Sequence, residues 1–229
     1  MPIEYKDIMP WGRNFSEYIS MFDLTASELS LRILGCGDGP ASFNVECNQR
    51  GGQVSSIDPL YYFSLETIEK RIAETYEEVM KQTRANQDKY IWETIPSLDA
   101  LGQIRMGAMR RFLASYENGK AQGRYIPAEL PYLPFADQIF DLALSGHFLF
   151  LYTDNLTFAF HVASIREMLR VAREVRIFPL LDVNAQESRY LAGILESFQN
   201  FKPELHKVNY EFQRGGDKML RLRNDGEEF

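Results

Sequence analysis

The stretch Leu31-Arg32-Ile33-Leu34-Gly35-Cys36-Gly37-Asp38-Gly39-Pro40, with Ser56-Ile57-Asp58 further on, decides the fold. An apolar run stops at glycines, a helix-compatible segment begins at Ala41, and an acid arrives about 20 residues later at the end of a second β-like run. Gly35, Gly37 and Gly39 let the backbone turn sharply and approach a ligand. The helix that follows offers free N–H groups to a carboxylate or phosphate. The arrangement reads as a turn by which an open α/β sheet grips a ribose-bearing ligand.

Working outward, Phe15, Tyr18, Ile19, Phe22 and Leu24 recur at helical spacing and predict a leading amphipathic helix ending near Thr25. Leu31 to Leu34 reads as the first strand, Ala41 to Arg50 as a helix stopped by Gly51-Gly52, and Gln53 to Ile57 as the second strand, ending at Asp58-Pro59. The next strand signal, Arg124 to Ala128, comes far later than an ordinary crossover requires. The intervening residues 62–123 therefore read as an insertion within a single domain spanning 1–229. It is helical by pattern: Leu65, Ile68, Ile72, Tyr76 and Val79 form one stripe, and Leu98, Leu101, Ile104, Met109, Phe112 and Tyr116 approximate another. Two readings stay open, a crossover helix plus a hairpin burying its own apolar faces, and a cap over the ligand crevice.

Phe140 to Ser145 reads as a buried strand. Phe158, Val162, Ile165, Leu169 and Ala172 stripe a helix, Glu174 to Leu181 forms a strand interrupted late by Pro179, and Leu191 to Phe198 lies in a further helix. At the end, Lys207 to Gln213 and Lys218 to Arg223 alternate about an Arg214-Gly215-Gly216-Asp217 turn, which predicts an antiparallel hairpin.

Composition bounds the function. With 229 residues, 45% of them hydrophobic, the chain can bury one substantial α/β core. A formal charge of −7 repels a phosphate backbone and argues against general nucleic-acid binding, leaving a small-molecule or protein substrate as the better fit. Cys36 and Cys47 have no zinc-ligand spacing and predict no metal site; a cytoplasmic, reduced protein is expected. Met1 to Trp11 lacks the apolar core of a signal peptide, and no run reaches the roughly 18 residues needed to span a bilayer, so no membrane partner is expected.

A dinucleotide turn wants glycine or alanine where Pro40 stands, which disfavours an NAD-dependent enzyme. The spacing G-x-G-x-G instead resembles the first motif of the seven-stranded, class I S-adenosylmethionine-dependent methyltransferases. Asp58 stands where that family places its ribose acid, and a carboxylate, having only acceptors, suits two hydroxyl donors. Glu129-Leu130-Pro131-Tyr132-Leu133-Pro134-Phe135-Ala136-Asp137-Gln138-Ile139-Phe140-Asp141 is similar to the family's "acid, small residue, x, x, LPF, x, D, x, x, FD" segment. The resemblance, to a bacterial-type branch with a helical insertion, covers nearly the whole chain outside that insertion.

The resemblance implies a doubly wound, mostly parallel seven-stranded sheet with a C-terminal antiparallel β-hairpin, a Rossmann-like methyltransferase fold. It implies S-adenosyl-L-methionine as cofactor and direct in-line methyl transfer to an oxygen or nitrogen of a small molecule. Gly35, Gly37 and Gly39 would hold the amino-acid end, Asp58 the ribose, Glu129 and Leu130 the adenine, and Ser145 and His147 the reacting edge, with Cys36 and Pro59 also among the cofactor-binding residues and His147 the candidate catalytic base. The family usually carries an acid two residues before the first glycine; here that position is Ile33. The departure leaves a catalytically degenerate cofactor-binding or protein-interaction module as the alternative.

Three further features are ambiguous in sequence. Arg13 of Trp11-Gly12-Arg13 either reaches the cofactor's carboxylate or is a surface arginine. Arg105, Arg110, Arg111, Lys120 and Arg124 make the insertion locally basic and read as a solvated face, with recognition of an anionic substrate as the alternative. The insertion is also a candidate homodimer surface.

Overall fold

The computed structural model describes Ile3 and residues 8–224; the rest of the Met1 to Trp11 stretch lies outside the described residues. Seven strands form one sheet: β1 (Arg32–Cys36), β2 (Gln53–Ile57), β3 (Tyr125–Ile126), β4 (Phe140–Gly146), β5 (Ala172–Phe178), β6 (Glu204–Lys207) and β7 (Lys218–Arg223). Their order is β3-β2-β1-β4-β5-β7-β6. The first five run parallel, while β7 is antiparallel to both β5 and β6. This is the Rossmann-like sheet that the resemblance implies.

Six α-helices accompany it among the described residues: α1 (Phe15–Phe22), α2 (Phe43–Gln49), α3 (Leu65–Ala85), α4 (Leu98–Ala121), α5 (Phe158–Val171) and α6 (Leu191–Ser197). Side-chain caps mark where several begin. Asn14 and Glu17 close a capping box on α1, and Ser64, Ser97 and Thr157 accept hydrogen bonds from Thr67 N, Ala100 N and Phe160 N.

The central strands are buried on both faces, which is why they read as apolar runs rather than alternating ones. Ile33, Leu142 and Leu144 pack with Tyr18, Phe22 and Phe43 of α1 and α2. Leu34, Ala143 and Val175 face the opposite way, against Ile165, Leu169 and Ile194 of α5 and α6. Ile33 is wholly buried in the first of these layers. An acid there would be desolvated in apolar surroundings.

The chain between β2 and β3 contains α3 and α4. Leu101, Met109, Phe112 and Tyr116 of α4 are buried, with Tyr61, Ile68 and Tyr125 completing one apolar cluster and Met80 and Ile95 another. The hairpin differs from its sequence reading. Residues 208–217 form an extended return rather than a strand, and β6 lies earlier, at Glu204–Lys207. The alternation there is real burial: Val208 and Tyr210 enter the α1 layer, and Phe212 stacks on Tyr90 with ring centroids 4.9 Å apart. Those side chains are buried by helices and loops, not by a ladder partner. β5 stops at Phe178, because Pro179 has no N–H for a ladder.

Candidate functional site

A cleft of about 630 Å³ opens at the carboxyl ends of β1, β2 and β4, where open α/β sheets bind ligands. The turn after β1 contributes Gly37, Asp38 and Gly39, and the end of β2 contributes Asp58 and Pro59. Glu129 and Leu130 enter from the segment before β4, and Gly146, His147 and Phe148 from its end. Residues 8–11 and Arg13, which precede α1, and the first turns of α3 also line it.

The glycine turn takes this shape for steric reasons. Gly37 and Gly39 adopt φ +68° and +52°, which side-chain-bearing residues rarely do. A Cβ on Gly37 would also lie 2.9 Å from the Phe148 ring. The two strand ends are clipped together: Gly39 N and Leu60 N each donate to the Asp58 carboxylate at 2.8 Å, and Tyr61 Oη donates to Gly39 O at 2.8 Å. Each oxygen of Asp58 keeps a further acceptor position.

Asp38 occupies the floor of the cleft, buried at 7% exposure. It accepts from Tyr18 Oη at 2.8 Å and from Ser56 Oγ at 2.5 Å. Burial pushes both the Asp38 and Asp58 carboxyls up to about 6, against the pull of the hydrogen bonds they accept. Neither has an ion-pair partner among the described residues. The cleft floor therefore presents two carboxylates that no ion pair among the described residues neutralises. Sequence reading passed over Asp38 as a spacer of the glycine motif and over Tyr18 as a core residue.

Arg13 lines this cleft and is not the surface arginine of the bland reading. Gly12 lies against the turn so closely that a Cβ would sit 2.1 Å from Pro40 O, and Ser42 N donates to Arg13 O at 3.0 Å. Arg13 Nη1 donates to Trp11 O at 2.7 Å, while its buried Nε has no partner. Burial and the neighbouring Arg105 hold the Arg13 guanidinium below its usual range.

His147 adopts φ +55°, a conformation uncommon outside glycine, and its N–H donates to Phe178 O at 2.6 Å. Its Nδ1 is buried and unpartnered. Burial, then Arg13 and Arg105, hold the imidazole well below its ordinary range, so it is neutral at neutral pH. His161 and His206 are bound elsewhere, His161 to the carbonyls of Thr157 and Leu149 and His206 to Asp23.

Three expected site residues do not line the cleft. Gly35 lies beneath Asp38, whose carboxylate fills the space above it. Cys36 is itself wholly buried and packs in the α5 layer, where burial pushes the thiol well up. Ser145 is wholly buried. For Cys36 and Ser145 this follows from strand geometry, which directs side chains to the two faces of the sheet rather than to the crevice beyond its end.

The basic face of the insertion also divides. Arg110 and Arg111 are exposed, as a solvated face requires, but Lys120 donates to Tyr61 O and Arg124 to Asn44 Oδ1. Arg105 is fully buried, with Nη1 2.6 Å from both oxygens of Glu17, which also accepts from Tyr210 Oη at 2.9 Å. Its place was legible: Arg105 sits four residues from Leu101 and four from Met109, inside the apolar stripe. Among the described residues no group of three His, Cys, Asp or Glu is placed to hold a metal, and no helix is long and apolar enough to cross a membrane.

No family model matches the chain. Among solved structures, magnesium protoporphyrin IX methyltransferase from Synechocystis PCC 6803 with bound SAM aligns over 86% of this chain and 72% of its own, at 11% identity and TM-score 0.44. A putative S-adenosyl-L-methionine-dependent methyltransferase from Methanococcus maripaludis aligns over 93% and 84%, at 9% identity and TM-score 0.41. Among curated proteins, "Uncharacterized protein MJ0045" of Methanocaldococcus jannaschii is 34% identical over 222 residues, which is 96% of this chain and 98% of that protein. With both chains covered almost end to end at that identity, this protein belongs to the MJ0045 family.

Proposed function

We propose that the cleft binds S-adenosylmethionine and that the protein transfers its methyl group to an oxygen or nitrogen of a small-molecule acceptor. One observation carries the reading: Asp38, buried beside the glycine turn, and half-buried Asp58 have no ion-pair partner among the described residues, while Arg13 lines the same cleft without one. Buried charges without partners mark a site for a ligand of complementary charge. A ligand with an ammonium, a sulfonium, a carboxylate and a ribose diol suits all three groups.

In this reading Asp38 takes over the work of the acid missing at Ile33 and receives the ammonium. Asp58 accepts the ribose hydroxyls, Arg13 receives the carboxylate, and Glu129 and Leu130 border the adenine. When bound, the cofactor would supply a sulfonium-activated methyl group to the acceptor's lone pair. The protein's share is chiefly positioning, which in well-oriented reactions provides about 7 to 11 kcal/mol. Neutral His147, with Nδ1 free, accepts the acceptor's proton. As a base held below its usual range, it suits an acceptor whose own proton is acidic. The two buried, unbridged cysteines fit a reducing, cytoplasmic setting.

Calorimetric titration with S-adenosylmethionine and S-adenosylhomocysteine, followed by an acceptor panel scored for methylated product, tests the reading. Binding of both ligands and turnover of one acceptor supports it. Binding without product across the panel favours the catalytically silent alternative, and absence of binding by folded protein refutes it.

A further inference from the structure

Behind the cleft lies a second, smaller chamber of about 80 Å³. Met9, Trp11, Arg13 and His147 belong to the walls of both, so the two spaces adjoin at these residues. The chamber holds an unusual concentration of unpaired donors. Arg105 lines it, is fully buried, and has neither Nε nor Nη2 hydrogen-bonded; the Arg13 Nε is likewise buried and unpaired. Buried donors are almost always satisfied, and a guanidinium edge left bare in the interior calls for an acceptor.

The unpaired atoms of Arg105 form one edge of the guanidinium, the fork that takes a carboxylate through two parallel hydrogen bonds. The same edge is used twice elsewhere in this chain: Arg32 places Nε and Nη2 on Asp141 at 3.1 and 3.0 Å, and Arg170 places them on Glu167 at 2.8 and 2.7 Å. Among the described residues no carboxylate lines the chamber. Glu17 is bound on the Nη1 side of Arg105, which leaves the Nε and Nη2 edge open for an anion. Val79, Leu101, Leu151 and Val183 supply apolar wall around it. A volume of about 80 Å³ exceeds several times the roughly 10–15 Å³ that one water needs, enough for a carboxylate on a short carbon chain.

We propose that this chamber anchors the methyl acceptor through a carboxylate held by the Nε and Nη2 edge of Arg105, so that the acceptor is a small carboxylic acid whose nucleophile reaches past His147 into the cleft. The assignment of the anion as acceptor rests on the cofactor reading of the larger cleft; the anion site itself does not.

The test uses sodium propionate and propionamide, matched in shape and differing in charge, titrated into the intact protein by ligand-observed NMR with and without saturating S-adenosylhomocysteine. Propionate is expected to bind at least tenfold tighter than propionamide, and to do so with the nucleoside bound. Arg105→Lys, which keeps the charge but loses the fork, should weaken propionate at least tenfold while moving the S-adenosylhomocysteine dissociation constant less than twofold. Equal binding of acid and amide, or propionate affinity unchanged in Arg105→Lys, overturns the proposal. Mutual exclusion of propionate and S-adenosylhomocysteine also overturns it, because the chamber would then hold the donor's own carboxylate. The acid–amide comparison on the unmodified protein stands whether or not the variant folds. Propionate binding in a protein that ignores S-adenosylhomocysteine would uphold the anion site and sink the cofactor reading alone.

Discussion

The carboxylate of Asp38 folds back over Gly35 so closely that a Cβ on Gly35 would lie 1.8 Å from Asp38 Oδ2. The absence of a side chain at position 35 thus places the acid in the cleft, where Tyr18 and Ser56 fix it. Gly35→Ala should displace that carboxylate, break two buried hydrogen bonds and destabilise the protein by about 1–3 kcal/mol. S-adenosylhomocysteine affinity should fall at least tenfold. Chemical denaturation and calorimetry on the same preparation check both effects, and unchanged affinity would remove Asp38 from the site.

Asp38 also sets a pH signature. Burial raises its carboxyl from 3.8 to about 6. Between those values the folded state holds a proton that the unfolded state has lost, so stability from this group falls as pH rises from about 4 to 6. The full difference is about 3 kcal/mol. Asp38→Asn should abolish this fall, becoming more stable relative to the parent at pH 8 than at pH 4, while binding the cofactor more weakly. Denaturation midpoints at the two pH values suffice; a parallel shift of both proteins would contradict the assignment.

His147 works with the opposite sign. Its folded value is held below 6.5, so the unfolded chain takes up the proton first and stability from this group is complete above about 6.5 and declines as pH falls. Imidazole resonances of His147 in NMR should stay neutral from pH 6 to 8. Titration near 6.5 would show that the side chain is solvated and not the buried base described here.

Glu17 joins α1 to α4 through Arg105 and to the C-terminal return through Tyr210. Removing one member of a buried pair leaves the other charge uncompensated, so Glu17→Gln should cost about 3–5 kcal/mol. Thermal unfolding checks this, and a loss below about 1 kcal/mol would mean that Arg105 finds another partner.

The elements with local punctuation were legible in sequence. β2 ends at Asp58-Pro59 after Gly51-Gly52 releases the preceding helix, and β7 follows its glycine turn. The segment Val208 to Phe212 misled because alternation reports two faces, one buried, and does not say whether a ladder partner exists. In the site, Gly37, Gly39 and Asp58 announce themselves by backbone requirement and spacing. Tyr18 and Asp38 do not, because their hydrogen bond joins a leading helix to a turn 20 residues away and neither residue type signals it. Arg105 lay within an apolar stripe, yet its neighbours Arg110 and Arg111 made the helix look uniformly basic.

The claim that the cleft is a cofactor site is tested most directly by calorimetric titration of S-adenosylhomocysteine into the parent and into Asp58→Ala. One-to-one binding is expected for the parent. The variant should bind at least about a hundredfold more weakly, as the loss of two hydrogen bonds to a carboxylate requires. No binding by the folded parent, or the same dissociation constant in both proteins, would contradict it.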